Sequence, residues 1–342
     1  MQIVILSART GWHTDELCRA LAERGHVGRV LPYELLQAHI GRCGIESPPH
    51  VDADLSASAT ATPRPRRSVN RRGGAVDPDG RASIFNADAV LARIIPDGSL
   101  EQIIYRVDAL HWIEQRGIPV INSPRAIERS VDKFYTTALL HDAGLPVPET
   151  VVCERAEDAM AAVRRMLVAS SVIIKPLFGS MGHGMVRVSD PDVALRVVRA
   201  LAQIRSVFYV QRAIDHAGRD VRVFVVGGRV VGAVERTAPP GEWRTNLTGG
   251  GSAKAVDVPG AWQEFALRAA ATVDADYAGV DLLASRDGEL FVLEVNGIPG
   301  WEGLQMATGI DVAGAIVDHL AARVASHRGA AASAAGRVGV SA

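Results

Sequence analysis

The sequence predicts an α/β protein, with a parallel α/β domain at the N-terminus and an α+β arrangement in the remainder. Strand-like and helix-like segments alternate over residues 1–122, which is typical of a parallel sheet. Residues 123–206 carry helices between strands, and residues 207–325 are richer in strands. We therefore expect three ordered regions with these boundaries, followed by a short tail at 326–342.

Composition narrows the class of protein. Of the 342 residues, 48% are hydrophobic and 22% are charged, the balance of a globular chain with two or three domains. The formal net charge of −1 offers no general attraction to nucleic acid or to an anionic membrane, so we expect neither as a partner. The apolar runs are too short for a transmembrane helix, and the first ten residues indicate a strand and not a signal peptide. Three scattered cysteines indicate reduced thiols and a cytoplasmic location.

The elements of residues 1–122 follow from hydrophobic spacing. Short apolar runs predict strands, and apolar residues three and four apart predict helices. Ser99 stands as the N-cap of one helix with Gln102 three residues later, which is a capping box. The predicted elements are a strand at 2–6, a helix at 14–24, strands at 27–31 and 89–95, the helix after Ser99, and a strand at 119–122.

Two segments lack a structural pattern. Residues 47–82 consist largely of Pro, Ser, Ala, Thr and Arg, which cannot bury enough apolar surface to order themselves. Five arginines within 64–72 could contact an acidic partner or belong to an ordinary solvated loop. We expect a disordered insertion at 47–82 and a disordered tail at 326–342, where small residues dominate.

The C-terminal regions repeat the same signals in a different order. The predicted elements are a helix at 131–143, a strand at 150–153, a helix ending at 167, strands at 172–175 and 185–188, and a last helix from Asp311.

Residues 280–297 place acids within an otherwise apolar hairpin. Asp287-Gly288 is a two-residue turn signal, and counting from it sets Asp281 opposite Glu294, with Asn296 on the same face. We expect nothing basic beside these three side chains. Because burying such charge is costly unless it is paired or binds a metal, the set predicts a hard cation such as Mg²⁺ with phosphate. The alternative is an acidic strand edge that faces solvent.

Lys175 ends a strand and is followed by a glycine-rich loop at 179–184. Backbone N–H groups in such a loop can approach phosphates, and Lys175 would add a point charge. The loop is neither a Walker A nor a dinucleotide fingerprint, so a plain β-hairpin loop remains the alternative. Arginines at 219, 222, 236 and 244 suggest an anionic ligand, or a rim of ordinary ion pairs.

Several stretches, ordered and spaced over roughly residues 85–322, resemble the ATP-grasp superfamily and, within it, the RimK-type amino-acid ligases. The resemblance implies an ATP-grasp fold, in which a parallel pre-ATP-grasp domain precedes two α+β subdomains that clamp ATP. The stretches are INSPRAIERSVDKFYTTALLHDAGLPVPETV, IIKPLFGSMGHGMV, GRDVRVFVVGGRVVGAVER, EWRTN, GVDLL with LEVNGIPGWEGL, and ATGIDVA.

The resemblance also implies roles for individual residues. Lys133 and Lys175 would bind the phosphates of ATP, under a lid formed by Gly179, Ser180, Met181, Gly182 and Gly184. Gln211, Arg212, Ala213 and Ile214 would hold adenine through their backbone, with Asp220 and Arg236 near the nucleotide. Arg222, Arg244 and Asn246 would act in catalysis. Asp281, Glu294 and Asn296 would bind metal, usually two Mg²⁺ ions, for which Mn²⁺ sometimes substitutes.

The implied reaction adds L-glutamate to an acceptor carboxylate. The acceptor would form an acyl phosphate with release of ADP, and an amine would then displace phosphate. The wording GIPGWEGLQ is closer to relatives that glutamylate a pterin such as tetrahydromethanopterin. The run Thr248–Gly251 lacks the basic side chains found in members that modify a ribosomal protein. Relatives are commonly homo-oligomers.

Alternatives remain in other classes. The acceptor could be a ribosomal protein tail, or the chain could be another ATP-grasp amino-acid ligase. Two further hypotheses are non-enzymatic. The chain could be a nucleotide-binding regulator without activity, or an RNA- or ribosome-binding protein that acts through residues 64–72.

Overall fold

The computed structural model describes residues 1–40, 44–47, 82–179, 183–245 and 250–338, with the backbone alone at 44–47, 82 and 331–338. The chain divides into two compact units, residues 1–124 with 320–342 and residues 125–319. Among the described helices, none has both the length and the apolar character needed to cross a bilayer.

The first unit contains a parallel sheet, as the alternation of elements predicts. Its elements are β1 (Gln2–Leu6), α1 (Trp12–Glu23), β2 (Val27–Leu31), β3 (Gln37–His39), β4 (Gly44–Ser47), β5 (Ala82–Ser83), β6 (Ala89–Ala92), α2 (Leu100–Gln115) and β7 (Val120–Ile121). The parallel strands have the order β2-β1-β6-β7. This arrangement confirms the predicted α/β class for the N-terminal part.

The capping box of α2 is present. The Gln102 backbone N–H donates to Ser99 Oγ at 3.3 Å, and the Ser99 backbone N–H donates to Gln102 Oε1 at 3.0 Å. Two N–H groups that have no partner within the helix are thereby satisfied.

Both ends of the predicted insertion are strands. Strand β4 pairs with β3 and with β5, and the last pair joins Ser47 to Ala82. Residues 48–81 lie outside the described residues, so the expected disorder of this segment stays a prediction.

The second unit contains two antiparallel sheets. From Pro124 onward the elements are α3 (Pro124–Val131), α4 (Lys133–Asp142), β8 (Thr150–Cys153), α5 (Ala156–Leu167), β9 (Val172–Lys175), β10 (Val186–Val188), α6 (Pro191–Gln203), β11 (Phe208–Arg212), β12 (Arg219–Val226), β13 (Arg229–Thr237), β14 (Ser252–Ala255), α7 (Gly260–Thr272), β15 (Tyr277–Ala284), β16 (Leu290–Asn296), α8 (Glu302–Thr308) and α9 (Val312–Val338). The strand orders are β10-β9-β11-β8 and β14-β13-β12-β15-β16.

Three helices differ from the predicted bounds, and the first of them, α1, covers Trp12–Glu23 instead of 14–24. The helix predicted at 131–143 begins at Lys133, because Asp132 is an N-cap whose carboxylate accepts from the Tyr135 backbone N–H at 3.0 Å. Helix α9 continues to Val338, beyond the residue at which the disordered tail was expected to begin. The alanines of that stretch have the highest intrinsic helix propensity, which the prediction from small polar composition neglected.

Strand alternation separates a core face from a polar face in both sheets. Helices α5 and α6 cover Ile174 of β9 and Val210 of β11, and α7 covers Val223 of β12 and Val280 of β15. Because successive side chains on a strand point to opposite faces, the intervening positions point away from these helices. Those positions are Lys175, Tyr209, Gln211, Asp220, Arg222 and Asp281.

Candidate active site

Asp281 of β15 pairs with Glu294 of β16, as the sequence predicts, but the turn between them differs. The Ser285 backbone N–H donates to the Glu289 carbonyl at 2.8 Å, so the loop has three residues instead of the two predicted. Gly288 closes this loop with φ at +88°, a conformation that favours glycine. An extra residue in β16 then shifts the register next to Asp281 and restores the expected pairing.

Two arginines hold the Asp281 carboxylate. Arg222 donates through Nε to Oδ1 at 2.7 Å and through Nη2 to Oδ2 at 2.8 Å, while Nη2 of Arg236 lies 3.0 Å from Oδ2. Arg236 also makes a two-pronged pair with Asp220, at 2.8 and 2.5 Å, and Thr245 donates to the same Asp220 at 2.7 Å. The expectation that nothing basic lies beside Asp281 is therefore wrong.

The contacts within this cluster determine the charge states of Asp281 and Arg236. Burial alone would raise the pKa of Asp281, but Arg222 and Arg236 lower that pKa to about 2. Burial opposes charge on Arg236 as well, yet the carboxylates of Asp281 and Asp220 raise its pKa overall. Oδ1 of Asp281 accepts one guanidinium hydrogen bond and Oδ2 accepts two, so a metal ion at this carboxylate would share Oδ1 with Arg222 or displace a bond at Oδ2.

Glu294 differs from Asp281 in having no ion-pair partner among the described residues. Lys133 donates instead to the carbonyl of Gly179 at 2.6 Å, and Lys175 donates to Oε1 of Gln211 at 2.6 Å. Both ammonium groups still lie near enough to Glu294 for its charge to raise their pKa values. The two lysines and this carboxylate therefore share one electrostatic environment.

Desolvation dominates at both lysines. The pKa of Lys175 is lowered to about 8, mainly by burial, with Glu294 opposing the shift and Lys133 adding to it. Burial lowers the pKa of Lys133 as well, against the charges of Glu294 and Asp132. Two ammonium groups that lose water and have no ion-pair partner among the described residues are suited to a polyanionic ligand such as phosphate.

One cleft in the second unit collects most of the predicted residues. It encloses about 1120 Å³ of space that includes open solvent. The predicted site residues that line it are Lys133, Lys175, Gly179, Gln211, Arg212, Ile214, Asp220, Arg236, Arg244, Asp281 and Glu294. Gly184, Ala213, Arg222 and Asn296 do not line the cleft. Ser180, Met181, Gly182 and Asn246 lie outside the described residues.

Two backbone donors of the predicted adenine segment are already occupied. The N–H of Arg212 donates to the carbonyl of Glu149, and the N–H of Ala213 donates to the carbonyl of Ser171, both at 2.9 Å. Adenine would therefore have to use other groups of the segment, and Ile214 borders the cleft beside them.

The remaining predicted residues occupy different environments. Asn296 donates from its amide nitrogen to the Gly279 carbonyl at 3.4 Å, which leaves the amide oxygen as its ligating atom. Arg244 pairs with Glu242 at 2.9 Å on the exposed side of the cleft. The described residues contain no group of three or more His, Cys, Asp or Glu side chains that could bind a metal. A cation at Glu294 and Asn296 would need ligand oxygens from its own phosphate partner.

Several lining residues were not predicted. Tyr209 and Thr245 border the cleft, together with Thr137, His216 and Trp243. Tyr209 stands two positions before Gln211 on one strand, so the same alternation that relates Glu294 to Asn296 would have identified it. Thr245 follows Arg244 in the chain. Only its hydrogen bond to Asp220 of β12 shows that it belongs to the site.

Comparison with known proteins identifies the family of the chain. A family model described as the RimK-like ATP-grasp domain matches residues 130–320. A tetrahydromethanopterin:alpha-L-glutamate ligase of Methanosarcina acetivorans is 34% identical over 268 residues, covering 70% of this chain and 82% of that protein. A probable alpha-L-glutamate ligase of Cellvibrio japonicus is 33% identical over 322 residues, covering 94% and 95%.

Solved structures share the fold at low identity. The ATP-grasp ligase PsnB complexed with minimal precursor has a TM-score of 0.68 at 23% identity, covering 94% of this chain and 98% of that one. The macrocyclase MdnC of Microcystis aeruginosa, bound with precursor peptide MdnA, has a TM-score of 0.66 at 14% identity, covering 94% and 100%. These likenesses confirm the ATP-grasp fold. Given the family match across the cleft-forming unit and relatives similar over most of their length, the chain belongs to the RimK-like ATP-grasp family and is a ligase that forms an acid–amino-acid C–N bond.

Proposed function

We propose that the protein is an ATP-dependent ligase that adds L-glutamate to the carboxylate of a small acceptor, with release of ADP and phosphate. The observation that carries the proposal is the convergence of Lys133, Lys175 and Glu294 in one cleft. The names of the relatives from Methanosarcina and Cellvibrio support glutamate as the amine.

The two lysines would bind the phosphates of ATP. Lys175 reaches the cleft from the end of β9, and Lys133 reaches it from the first turn of α4. Desolvated ammonium groups bind anions more strongly than hydrated ones, since the interaction takes place at lower effective dielectric. Glu294 and Asn296 would hold Mg²⁺, or Mn²⁺ in its place. Together with Asp281 they would bind two such ions. Such ions neutralise charge on phosphate oxygens during transfer.

Arginines would stabilise the reacting acyl group. The acceptor carboxylate would attack the γ-phosphate to form an acyl phosphate, and the α-amine of glutamate would displace phosphate from it. Arg244 lines the cleft and has Nη groups beyond its pair with Glu242. Arg222 uses Nε and Nη2 on Asp281 and does not border the cleft, so it would contribute only after its side chain changes position. A well-placed donor at a developing oxyanion contributes about 3 kcal/mol.

The acceptor we propose is a tetrahydromethanopterin-like cofactor. The support is the name of the Methanosarcina relative, which matches 82% of its own length. Trp301 belongs to the stretch that resembles pterin-modifying relatives, yet it is 1% exposed and meets Phe224 edge to face at 6.3 Å. Trp301 is thus a core residue, and it would not contact an acceptor.

A coupled assay tests the reaction. ADP release should require Mg²⁺, L-glutamate and an acceptor together, and mass spectrometry should find the acceptor heavier by one or more glutamyl groups. Screening pterin, peptide and ribosomal-tail acceptors separates the candidates. Release of AMP and pyrophosphate would indicate adenylation and would contradict the proposal.

A further inference from the structure

A chain of hydrogen bonds connects Lys175 to α4, the helix that carries Lys133. Nζ of Lys175 donates to Oε1 of Gln211 at 2.6 Å. Nε2 of Gln211 lies 2.9 Å from Thr150 Oγ1 and 3.1 Å from the Tyr209 hydroxyl. The Tyr209 hydroxyl lies 2.8 Å from Thr137 Oγ1 on α4. The chain thus runs from β9 through β11 to the helix that carries Lys133.

Counting donors sets the orientation of the Gln211 amide. The hydroxyl of Thr150 donates to the Pro148 carbonyl at 2.8 Å, so its oxygen accepts from Gln211. The second amide hydrogen of Gln211 goes to the Tyr209 oxygen, and either hydroxyl can donate in the contact between Tyr209 and Thr137. With both amide hydrogens used, the Gln211 carbonyl oxygen is the atom that meets Lys175.

The alternative amide orientation is unfavourable. Rotating the Gln211 side chain by half a turn would set its NH₂ group against the Lys175 ammonium, donor facing donor. Gln211 is 2% exposed and Tyr209 is 1% exposed, so little water reaches these groups to replace a lost partner. Removing the Tyr209 hydroxyl would leave an amide hydrogen of Gln211 buried without an acceptor and would weaken this preference.

Tyr209 contacts Lys175 in a second way. The ammonium lies 5.7 Å from the centre of the Tyr209 ring, within range of a cation–π interaction. At the other end of the chain, Thr137 stands four positions after Lys133, so both project from one side of α4. One buried tyrosine therefore connects the two elements from which the lysines reach the cleft.

We propose that Tyr209, with Thr137 as its partner, is a positioning residue that orients Gln211 and thereby presents the Lys175 ammonium to the phosphates of the nucleotide. This inference rests on the proposed function, because it assigns the anion at Lys175 to a nucleotide. It predicts an effect on phosphate binding and none on the binding of adenosine.

The test is calorimetric titration of the full chain with ADP and with adenosine, each in Mg²⁺. Tyr209→Phe should weaken ADP binding about fivefold and leave adenosine binding unchanged. Thr137→Val, which keeps the shape but removes the hydroxyl, should act in the same direction, and Thr137→Ser should restore binding. Tyr277→Phe is the matched control, since Tyr277 is 1% exposed in the same unit and does not border the cleft.

Repeating the Tyr209 substitution in a Lys175→Met variant distinguishes a positioning role from a general loss of structure. In Lys175→Met, ADP should bind more weakly, and adding Tyr209→Phe should have no further effect, because the network then has no lysine to orient. Equal losses for adenosine and ADP, or a Tyr209 effect that persists without Lys175, would overturn the inference alone. Unchanged ADP binding in Lys175→Met would overturn the proposed function and the inference with it. Thermal unfolding of each variant identifies any that fail to fold.

Discussion

Asp281 and Glu294 face each other across one hairpin, yet Asp281 is held by two arginines and Glu294 by none of the described residues. The difference arises from the neighbouring strands. Strand β12 places Arg222 opposite Asp281, whereas Glu294 lies on β16, the edge strand of the sheet. Two carboxylates that a sequence motif treats alike therefore have different energetic roles.

Neutralising each acid should distinguish these roles. Asp281→Asn should lower the free energy of unfolding by about 3 kcal/mol, because it removes the charge that compensates a buried arginine. Glu294→Gln should change it by less than about 0.5 kcal/mol. Both variants should lose ligation in the ADP-release assay. Denaturant unfolding measures the first effect, and equal stability losses would contradict the assignment of the arginine pairs to Asp281.

Nucleotide affinity should fall as pH rises through the pKa of Lys175, about 8 in the ligand-free protein. Above that pH the amine of the free protein is neutral and attracts phosphate less, whereas at lower pH the charge is fully present. Titration with ADP at several pH values measures the change. Lys175→Arg, which stays protonated, should remove this decline, and a decline of the same size in that variant would assign it to another group such as Lys133.

Removing Arg222 should free one side of the Asp281 carboxylate. Arg222→Ala is expected to strengthen Mg²⁺ binding in the presence of ADP by about fivefold, because the cation no longer competes with two guanidinium hydrogen bonds. Ligation should nevertheless decrease. Calorimetric titration with Mg²⁺ gives the affinity. Arg244→Ala is the control, since Arg244 pairs with Glu242 and not with Asp281. A weaker Mg²⁺ affinity in Arg222→Ala would show that Asp281 does not contact the metal.

The capping box of α2 should contribute measurably to stability. Ser99→Ala removes the acceptor for the Gln102 N–H and is expected to cost about 1 kcal/mol. Ser99→Asp, which keeps an acceptor and adds a favourable charge at the helix start, should retain the stability of the parent protein. Denaturant unfolding compares the two variants, and equal losses would indicate that the cap is not formed in solution.

Local sequence patterns predicted most helices and strands. They could not predict which strands lie next to each other when these are distant in the sequence. The strands at 150–153 and 172–175 have the predicted bounds, because each is a short run of β-formers. The pairing of Asp281 with Glu294 was also correct, although the loop and a bulge each differ from expectation by one residue and cancel.

The arginine contacts of Asp281 were missed for a physical reason. They depend on β12 and β13 lying beside β15, an order that no local pattern encodes. Tyr209 was missed although alternation along β11 contained the signal, since an aromatic residue in an apolar run suggests core packing first.

The three-stranded sheet β3-β4-β5 has a practical consequence. The chain leaves it at Ser47 and returns at Ala82, and these two residues are paired neighbours. The entropy of closing a loop grows only slowly with its length, so lengthening the connection between these two residues should cost little stability. The connection between Ser47 and Ala82 is therefore a suitable site for inserting a reporter domain or an affinity tag into the ligase, with both termini left unchanged.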